Sequence, residues 1–479
     1  MKPSFQTALS EKEMQKVHEA SLAILQDVGM QIDHAESRGI LHDAGADVDH
    51  TDNRVKFPPD MVERCLRQIP KSVCLAGRDP QYDLMLSYNS PFVARCGTGL
   101  TYILEPQGTT CRDAIPSDQA EMARLVDGLD NISMPGPLTL HDVPGKTADL
   151  HATRVLLQNQ RKHFMNLTMG SKNMRYQIEM QLAVRGSRAE VAKRPLFHPI
   201  SCLISPLYIP EDAIDIMMIA GEYGLPVKIP VMPMLGASAP VTLAGILAHG
   251  NAEVLGSFTV LQTLCPGNPT LYYMVPALMD MRSGGSVYGA PENILLYAAL
   301  IQMARMYYKV PSDTTALFCD GILLEQTTFQ KGCLLQAAAF SGANIVSGAG
   351  TVDGGMAFSP RQLVIDNEII GLTKRLLAGF TIDDDSLGID CVRRVGPKGN
   401  FLLDPHTLEN FRSQALFAPS IFSYQNFSTW EQNPKLFSER AEEAVQGILA
   451  SHEVPPLEDH VVRELQRIVM AADAEIAGC

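Results

Sequence analysis

Residues 314–348 read TTALFCDGILLEQTTFQKGCLLQAAAFSGANIVSG, and this stretch decides the fold class. It opens with 314–320 (TTALFCD), a short run rich in apolar and β-branched residues, as expected of a strand buried on both faces. Residues 325–340 (EQTTFQKGCLLQAAAF) are then long enough for a helix, and 343–348 (ANIVSG) forms a second strand. A helix between two strands carries the chain back to its starting edge, so the strands run parallel.

The same alternation extends outward from this unit, over residues 92 to about 380. Strands are expected at 92–96, 131–137, 161–168, 196–205, 226–234, 269–277, 314–320 and 343–348. Helices are expected at 117–128, 147–159, 171–185, 210–223, 240–264, 291–308, 325–340 and 360–379. An open doubly wound sheet would give the same alternation, but eight strand-then-helix units favour an α/β fold closed as a (β/α)8 TIM barrel. Three domains are expected: an N-terminal helical cap (1–90), the barrel (91–380) and a C-terminal helical extension (381–479). The cap should hold helices at 11–28, 35–44 and 58–68, the last entered through proline. A β-hairpin is expected at 101–114, around Pro106-Gln107-Gly108.

Composition narrows the function. The chain has 479 residues, 46% hydrophobic and 19% charged, with a formal charge of −14. That balance is globular, and the negative charge argues against nucleic acid, whose phosphates call for clustered Lys and Arg. The ten cysteines are scattered with no C-x-x-C pair, which suits a reducing cytoplasm rather than a disulfide framework or a zinc site. No secretory h-region and no apolar run of about 18 residues is present, so neither export nor a membrane span is expected. Size and apolar content suit a homo-oligomer.

In a barrel the chemistry sits at the C-terminal ends of the strands. That rule selects, among others, Arg95, Pro135, Asn166, Thr168, Ser205, Phe318, Asp320 and Ser347, and the loop after strand 7 adds Glu325. Asp320 and Glu325 are the candidate catalytic carboxylates, although Glu325 also suits the N-terminus of its helix. Arg95 could grip a ligand carboxylate through two parallel hydrogen bonds, or close a salt bridge. Gly348 and Gly350, in a glycine-rich turn after strand 8, could cradle a cofactor phosphate or simply make a tight connection. Met232, Met234, Met274, Met279 and Met281 are either adaptable packing or a wall for a large flat apolar partner. The chain lacks H-E-x-x-H, G-x-S-x-G and the phosphate-loop signature, and its twelve histidines show no metal spacing.

From Gly236-Ala237-Ser238-Ala239-Pro240-Val241-Thr242-Leu243-Ala244-Gly245 through Asn251-Ala252-Glu253-Val254-Leu255, the sequence resembles the trimethylamine methyltransferase superfamily. The likeness continues at Tyr288-Gly289-Ala290-Pro291-Glu292, at Gly342-Ala343-Asn344 with Gly348-Ala349-Gly350, and at Val395-Gly396-Pro397. It ends at Phe401-Leu402 with His406-Thr407-Leu408. The resemblance implies a barrel enzyme that passes a methyl group from an amine to a corrinoid (cobalamin) carried by a partner protein. One branch of the superfamily carries pyrrolysine and uses trimethylamine. The other lacks it and uses quaternary amines such as glycine betaine, proline betaine or carnitine. No pyrrolysine occurs here, so the resemblance is to the second branch.

A quaternary nitrogen already bears the charge that makes a tertiary amine a good leaving group, so positioning and desolvation matter more than an acid–base pair. The scarcity of titratable groups at the expected strand ends fits that chemistry. A cation without hydrogen-bond donors is best held by aromatic faces. Phe318, Tyr102 and Phe358, with Tyr424 and Trp430 if the extension folds over the mouth, are the candidate cage; Asn166 and His406 complete the candidate substrate contacts. A metal-dependent barrel lyase or hydrolase, with a metal on Asp320, Glu325 and a distant histidine, and a non-catalytic betaine-binding protein are the alternatives.

Overall fold

The computed structural model describes residues 7–106, 108, 110–322, 324–411 and 416–478. Short parallel strands, each followed by a helix, run in order: β1 (Val93–Cys96), α1 (Pro116–Gly128), β2 (Ile132–Met134), α2 (Ala148–Asn159), β3 (Phe164–Asn166), α3 (Ser171–Arg185), β4 (Phe197–Pro199) and α4 (Glu211–Glu222). The β5 segment follows at residues 227–231, then α5 (Leu243–Leu264), β6 (Tyr272–Tyr273), α6 (Pro291–Gln302), β7 (Ser312–Thr314), α7 (Leu324–Ser341), β8 (Ile345–Ala349) and α8 (Pro360–Ala378). Local chemistry sets many boundaries. Pro116 and Pro360 enter their helices in the first turn, Thr242 and Ser359 cap α5 and α8, and Gly186 (φ 82°) ends α3.

Parallel pairing passes from β3 to β4, through single bridges at Ile200–Lys228 and Val227–Thr270 to β5 and β6, then through β7 and β8 to β1 and β2. It stops there. Among the described residues no backbone ladder joins β2 to β3, so the expected closed barrel is corrected to a ring with one seam. The seam has a physical substitute for the ladder. Lys162, just before β3, donates to the carbonyls of Val126, Leu129 and Ile132 at 2.7 Å each. Burial pushes its ammonium down to about 8.

Alternation places the strand side chains. Ala94, Ile132, Val227, Ile229 and Val346 belong to the main core, which the surrounding helices share. Phe164 and Phe197 pack against α2 and α3 with their rings 5.0 Å apart. Burying such a ring contributes about 1.5–3 kcal/mol. The N-terminal end of the ring is plugged by a hairpin, Ser72–Leu75 with Leu84–Ser87. Its Val73, Leu75 and Leu86 meet Met134, Leu271 and Ile345.

The N-terminal segment is therefore more than a helical cap. Its helices Glu11–Asp27 and Pro59–Gln68 pack on α5, but it also supplies three strands of a four-stranded sheet completed by Tyr208–Ile209. Strands of three residues are too short to announce themselves by periodicity. The C-terminal segment is not one helical block either. Residues 379–411 leave the barrel in short helices, whereas Phe437–Ser451 returns to α8 and α1, and Asp459–Ala472 packs on α3 and α2. The hairpin is present, with Tyr102 opposite Asp113 and Leu104 opposite Cys111. Its expected Gln107 lies outside the described residues. The helix expected over 291–308 stops at Gln302 and continues as a π-helical turn to Tyr308.

Candidate active site

The ring interior holds a charged cluster. Arg95 on β1 donates from Nε to Asp313 Oδ2 at 3.1 Å, and from Nη1 to Cys96 O and Thr98 Oγ1 at 3.0 Å each. Lys228 of β5 donates to the same Asp313 oxygen, and Ser347 of β8 to the other. The strands bearing Arg95 and Asp313 are not neighbours, nor are those bearing Lys228 and Asp313, so these side chains meet across the interior. All four are essentially inaccessible to solvent. Burial alone would raise the Asp313 carboxyl, but Lys228 and Arg95 hold it below its ordinary value. Burial, then the charge of Arg95, pushes Lys228 well below the ordinary lysine value against the pull of Asp313. Two basic side chains thus face one carboxylate.

Tyr273 of β6 links this cluster to the mouth. Lys228 Nζ lies 3.4 Å from its ring centroid, a cation–π contact. The same ring belongs to an apolar wall with Val275, Ala277, Tyr288, Phe318 and Met234. Phe318 tilts against Tyr288 at 5.9 Å between centroids. Glycine makes room for Phe318. A Cβ on Gly348 (φ +113°) would lie 2.5 Å from its ring, and one on Gly355 (φ +90°) 2.3 Å from it. Asp320 accepts from the amides of Tyr288 (2.9 Å) and Gly289 (2.8 Å), which fixes the loop that presents Tyr288.

On the β3–β4 side, a histidine pair faces the same interior. His163 Nδ1 lies 3.1 Å from both Ala76 O and Pro195 O, two acceptors, so this nitrogen carries the proton. His163 Nε2 must then accept from His198 Nδ1, at 2.8 Å, which leaves His198 Nε2 as a buried lone pair without a protein partner. Burial lowers both imidazoles, His163 to about 4 and His198 further, with the charges of Lys228 and Arg95 adding to the effect on His198.

Of the residues selected from sequence, Arg95, Ser347, Phe318 and Asp320 come together with this interior and its mouth. Other candidates do not, for identifiable reasons. Asn166 shares the outward face of β3 with Phe164 two residues earlier, and its amide bonds Thr153 of α2. Phe358 is buried because the chain after β8 folds back into strands Thr351–Val352 and Ala357–Phe358, which turn its ring onto Gly350 and Leu363. Tyr102 sits beside that hairpin and stacks on His141 at 6.5 Å. Glu325 is solvent-exposed in the first turn of α7. Among the described residues, Tyr424 and Trp430 of the C-terminal segment do not join the aromatic wall. Glu368 of α8 grips the amides of Ser420, Ile421 and Phe422, holding this part of the chain on the outer helical layer. Tyr424 there projects into solvent, Trp430 donates its indole N–H to Lys435 O, and His406 lies beside Gly388. Gly350 gives its amide to Asp366, which also pairs with Lys331 at 2.7 Å, so the glycine turn is tied into the core.

Lys228, Asp313, Tyr273, Tyr288 and the histidine pair were missed, whereas Ser347 was among the strand-end residues selected. Lys228 had a readable signal, a single charge inside the apolar run Pro226-Val227-Lys228-Ile229-Pro230-Val231. Asp313 fell one residue outside the expected strand.

The trimethylamine methyltransferase (MTTB) family model matches residues 2–477. Trimethylamine methyltransferase MttB1 of Methanosarcina mazei is 31% identical over 475 residues, covering 97% of this chain and 95% of that protein. The glycine betaine methyltransferase of Desulfitobacterium hafniense is 28% identical over 472 residues, covering 98% and 97%. In structure, the monomethylamine methyltransferase MtmB of Methanosarcina barkeri superposes with a TM-score of 0.53 at 13% identity, covering 98% of this chain and 88% of that one. A likeness at that identity speaks to fold alone, whereas the full-length family match shows that this chain belongs to the trimethylamine methyltransferase (MTTB) family.

Proposed function

We propose that this protein transfers a methyl group from a betaine, a quaternary amine bearing a carboxylate, to the cobalt(I) of a corrinoid held by a partner protein. The single observation that carries this reading is the ring of Tyr273, which belongs at once to the aromatic wall and to the Arg95–Lys228–Asp313 cluster. A zwitterion needs both surfaces a few ångströms apart. Tyr273, Tyr288 and Phe318 offer π faces to a trimethylammonium group, and Arg95 with Lys228 offers donors to a carboxylate. The absence of pyrrolysine from the sequence supports a quaternary rather than a tertiary amine. The methyl leaves a nitrogen that becomes a neutral tertiary amine, so the chain's own residues have only to orient the substrate and exclude water. Asp320 acts through Tyr288, as a positioning residue.

The corrinoid, when docked, supplies the nucleophile for the methyl group. Met169, Met232, Met281 and Met356 stand exposed in the segments after β3, β5, β6 and β8. These soft, polarisable side chains around the C-terminal rim suit the flat apolar flank of a corrin. We read the ring as a (β/α)8 barrel with one seam, working as a homo-oligomer in the cytoplasm.

The primary test supplies glycine betaine, proline betaine, carnitine and trimethylamine to the enzyme with a reduced corrinoid protein and follows methylation by cobalamin absorbance. Turnover of a betaine without turnover of trimethylamine is expected; the reverse would refute the reading. Phe318→Leu keeps apolar bulk and removes a π face, so betaine binding should weaken by about 0.5–2 kcal/mol with little change in melting temperature. A lower melting temperature with unchanged binding would assign the ring to packing. Arg95→Ala should cost about 1.5–3 kcal/mol of betaine binding while choline, without a carboxylate, is barely affected. Equal losses for both ligands in calorimetry would remove Arg95 from the carboxylate site.

A further inference from the structure

The ring interior contains an acceptor that no protein group uses. Phe197 and His198 are consecutive on β4, and Phe197 packs outward with α2 and α3, so His198 faces the interior. Ile200, on the same face two residues later, bridges to Lys228, and the charges of Lys228 and Arg95 both act on the His198 ring. The imidazole therefore lies beside the cationic cluster. Its tautomer is set by His163, whose Nδ1 is protonated between the Ala76 and Pro195 carbonyls and whose Nε2 accepts from His198 Nδ1. His198 is 1% exposed, and its Nε2 lone pair has no partner among the described residues. A buried acceptor in this state is destabilising until a donor reaches it, and native proteins leave few of them.

Chemistry decides what that donor is. Protonation of the ring is opposed by burial and by the two cations, so Nε2 stays an acceptor. Lys228 directs its ammonium to Asp313 and to the Tyr273 ring. Arg95 engages Asp313, Cys96 and Thr98 through Nε and Nη1, whereas its Nη2 has no protein partner among the described residues. The interior thus presents donors suited to a carboxylate and, beside them, an acceptor suited to an O–H. A simple betaine matches only half of this pattern, because neither its carboxylate nor its quaternary nitrogen has a hydrogen to donate. On the betaine reading, on which this inference rests, we propose that the substrate also bears a hydroxyl group close to its carboxylate and that His198 Nε2 accepts from this hydroxyl. His163 is then a positioning residue, which keeps His198 in the accepting tautomer.

Calorimetric titration of the full chain with matched pairs of betaines that differ only in a hydroxyl tests this. The pairs are carnitine with 4-trimethylammoniobutanoate, and N,N,N-trimethylserine with N,N,N-trimethylalanine. In at least one pair the wild type should bind the hydroxylated member at least tenfold more tightly, since a site with a buried acceptor discriminates against a ligand that leaves it unpaired. His198→Leu should abolish that ratio. His198→Gln, which keeps an acceptor oxygen on the side chain, should preserve part of it, and His163→Leu should lower it. Each ratio is measured within one protein, so a loss of stability common to both ligands cancels, and the glutamine variant serves if the leucine variant fails to fold. Equal affinities within both pairs, or a ratio that survives in His198→Leu, would overturn the proposal and leave the betaine reading standing. Turnover of trimethylamine with no betaine bound would remove the betaine reading itself, and this assignment with it.

Discussion

Asp313→Asn should lower the free energy of unfolding by about 3–5 kcal/mol, measured by urea denaturation at pH 7. The magnitude follows from what the variant leaves behind. Asp313 is the carboxylate shared by Arg95 and Lys228, all three buried. Removing one member of a buried charge pair strands the others without compensation, which is the costly case, whereas replacing both members by apolar groups is often neutral. The second half of the prediction uses that asymmetry. Lys228→Met in the Asp313→Asn background removes one stranded cation and should recover a substantial part of the loss, although Lys228→Met alone has no stranded cation to relieve. Losses that simply add in the double variant would mean that the three side chains do not form one electrostatic unit. A loss below about 1 kcal/mol for Asp313→Asn would mean that water reaches the cluster and screens it.

How much of this was legible beforehand varies with the physics of each part. The helices were read well because their length gives the 3.6-residue pattern several turns in which to repeat; α3 runs from Ser171 to Arg185, as expected. The strands were located but overextended. The strand expected over 314–320 is paired only over Ser312–Thr314, and 196–205 shrinks to Phe197–Pro199. Apolar residues continue past the ladder into the mouth, where they line the site instead of the sheet. The seam between β2 and β3 was not readable, because the contact that spans it is tertiary: Lys162 donates to Ile132 O of β2 and to Val126 O and Leu129 O at the end of α1, which sequence spacing does not connect.

The site itself was half legible for a similar reason. The rule that strand ends carry chemistry found Arg95, Ser347, Phe318 and Asp320. It also selected Asn166, which fails by one step of the strand's two-residue period. The cage expected from the C-terminal aromatics failed on a tertiary contact, the grip of Glu368 on Ser420–Phe422, which holds Tyr424 and Trp430 away from the mouth. The ring that replaces them, Tyr288, was in plain view inside the family motif Tyr288-Gly289-Ala290-Pro291-Glu292. Asp320 on the amides of Tyr288 and Gly289, with Asn293 on the amide of Ala290, holds that motif where it is.

The histidine pair gives a second large effect, this time with pH. His163 titrates at about 4 in the folded protein against about 6.5 in an unfolded chain. A base whose folded value is depressed is neutral in both states above about pH 6.5 and imposes no cost there. Below that value the unfolded chain takes up a proton that the folded protein refuses. Stability therefore falls as pH drops from about 6.5 towards 4, by on the order of 1.4 kcal/mol per pH unit, or about 2 kcal/mol by pH 5. Other groups move in the opposite sense; Asp149, raised to about 6 chiefly by burial, favours the folded state as the pH falls through the same window. A comparison that cancels them is needed, and His163→Gln provides it. Glutamine can still donate to Ala76 O or Pro195 O and accept from His198, but it does not titrate. At pH 7 the variant should be the less stable protein, through lost packing. Towards pH 5 the wild type should lose about 2 kcal/mol relative to it, so that their unfolding curves converge or cross. The measurement is urea denaturation of both proteins at half-unit steps from pH 7.5 to 5. A stability difference that stays constant across the series would mean that folded His163 takes up its proton at the ordinary histidine value and is charged by pH 5. His198 Nδ1 could not then donate to it, and the buried lone pair now assigned to His198 Nε2 would carry a proton instead.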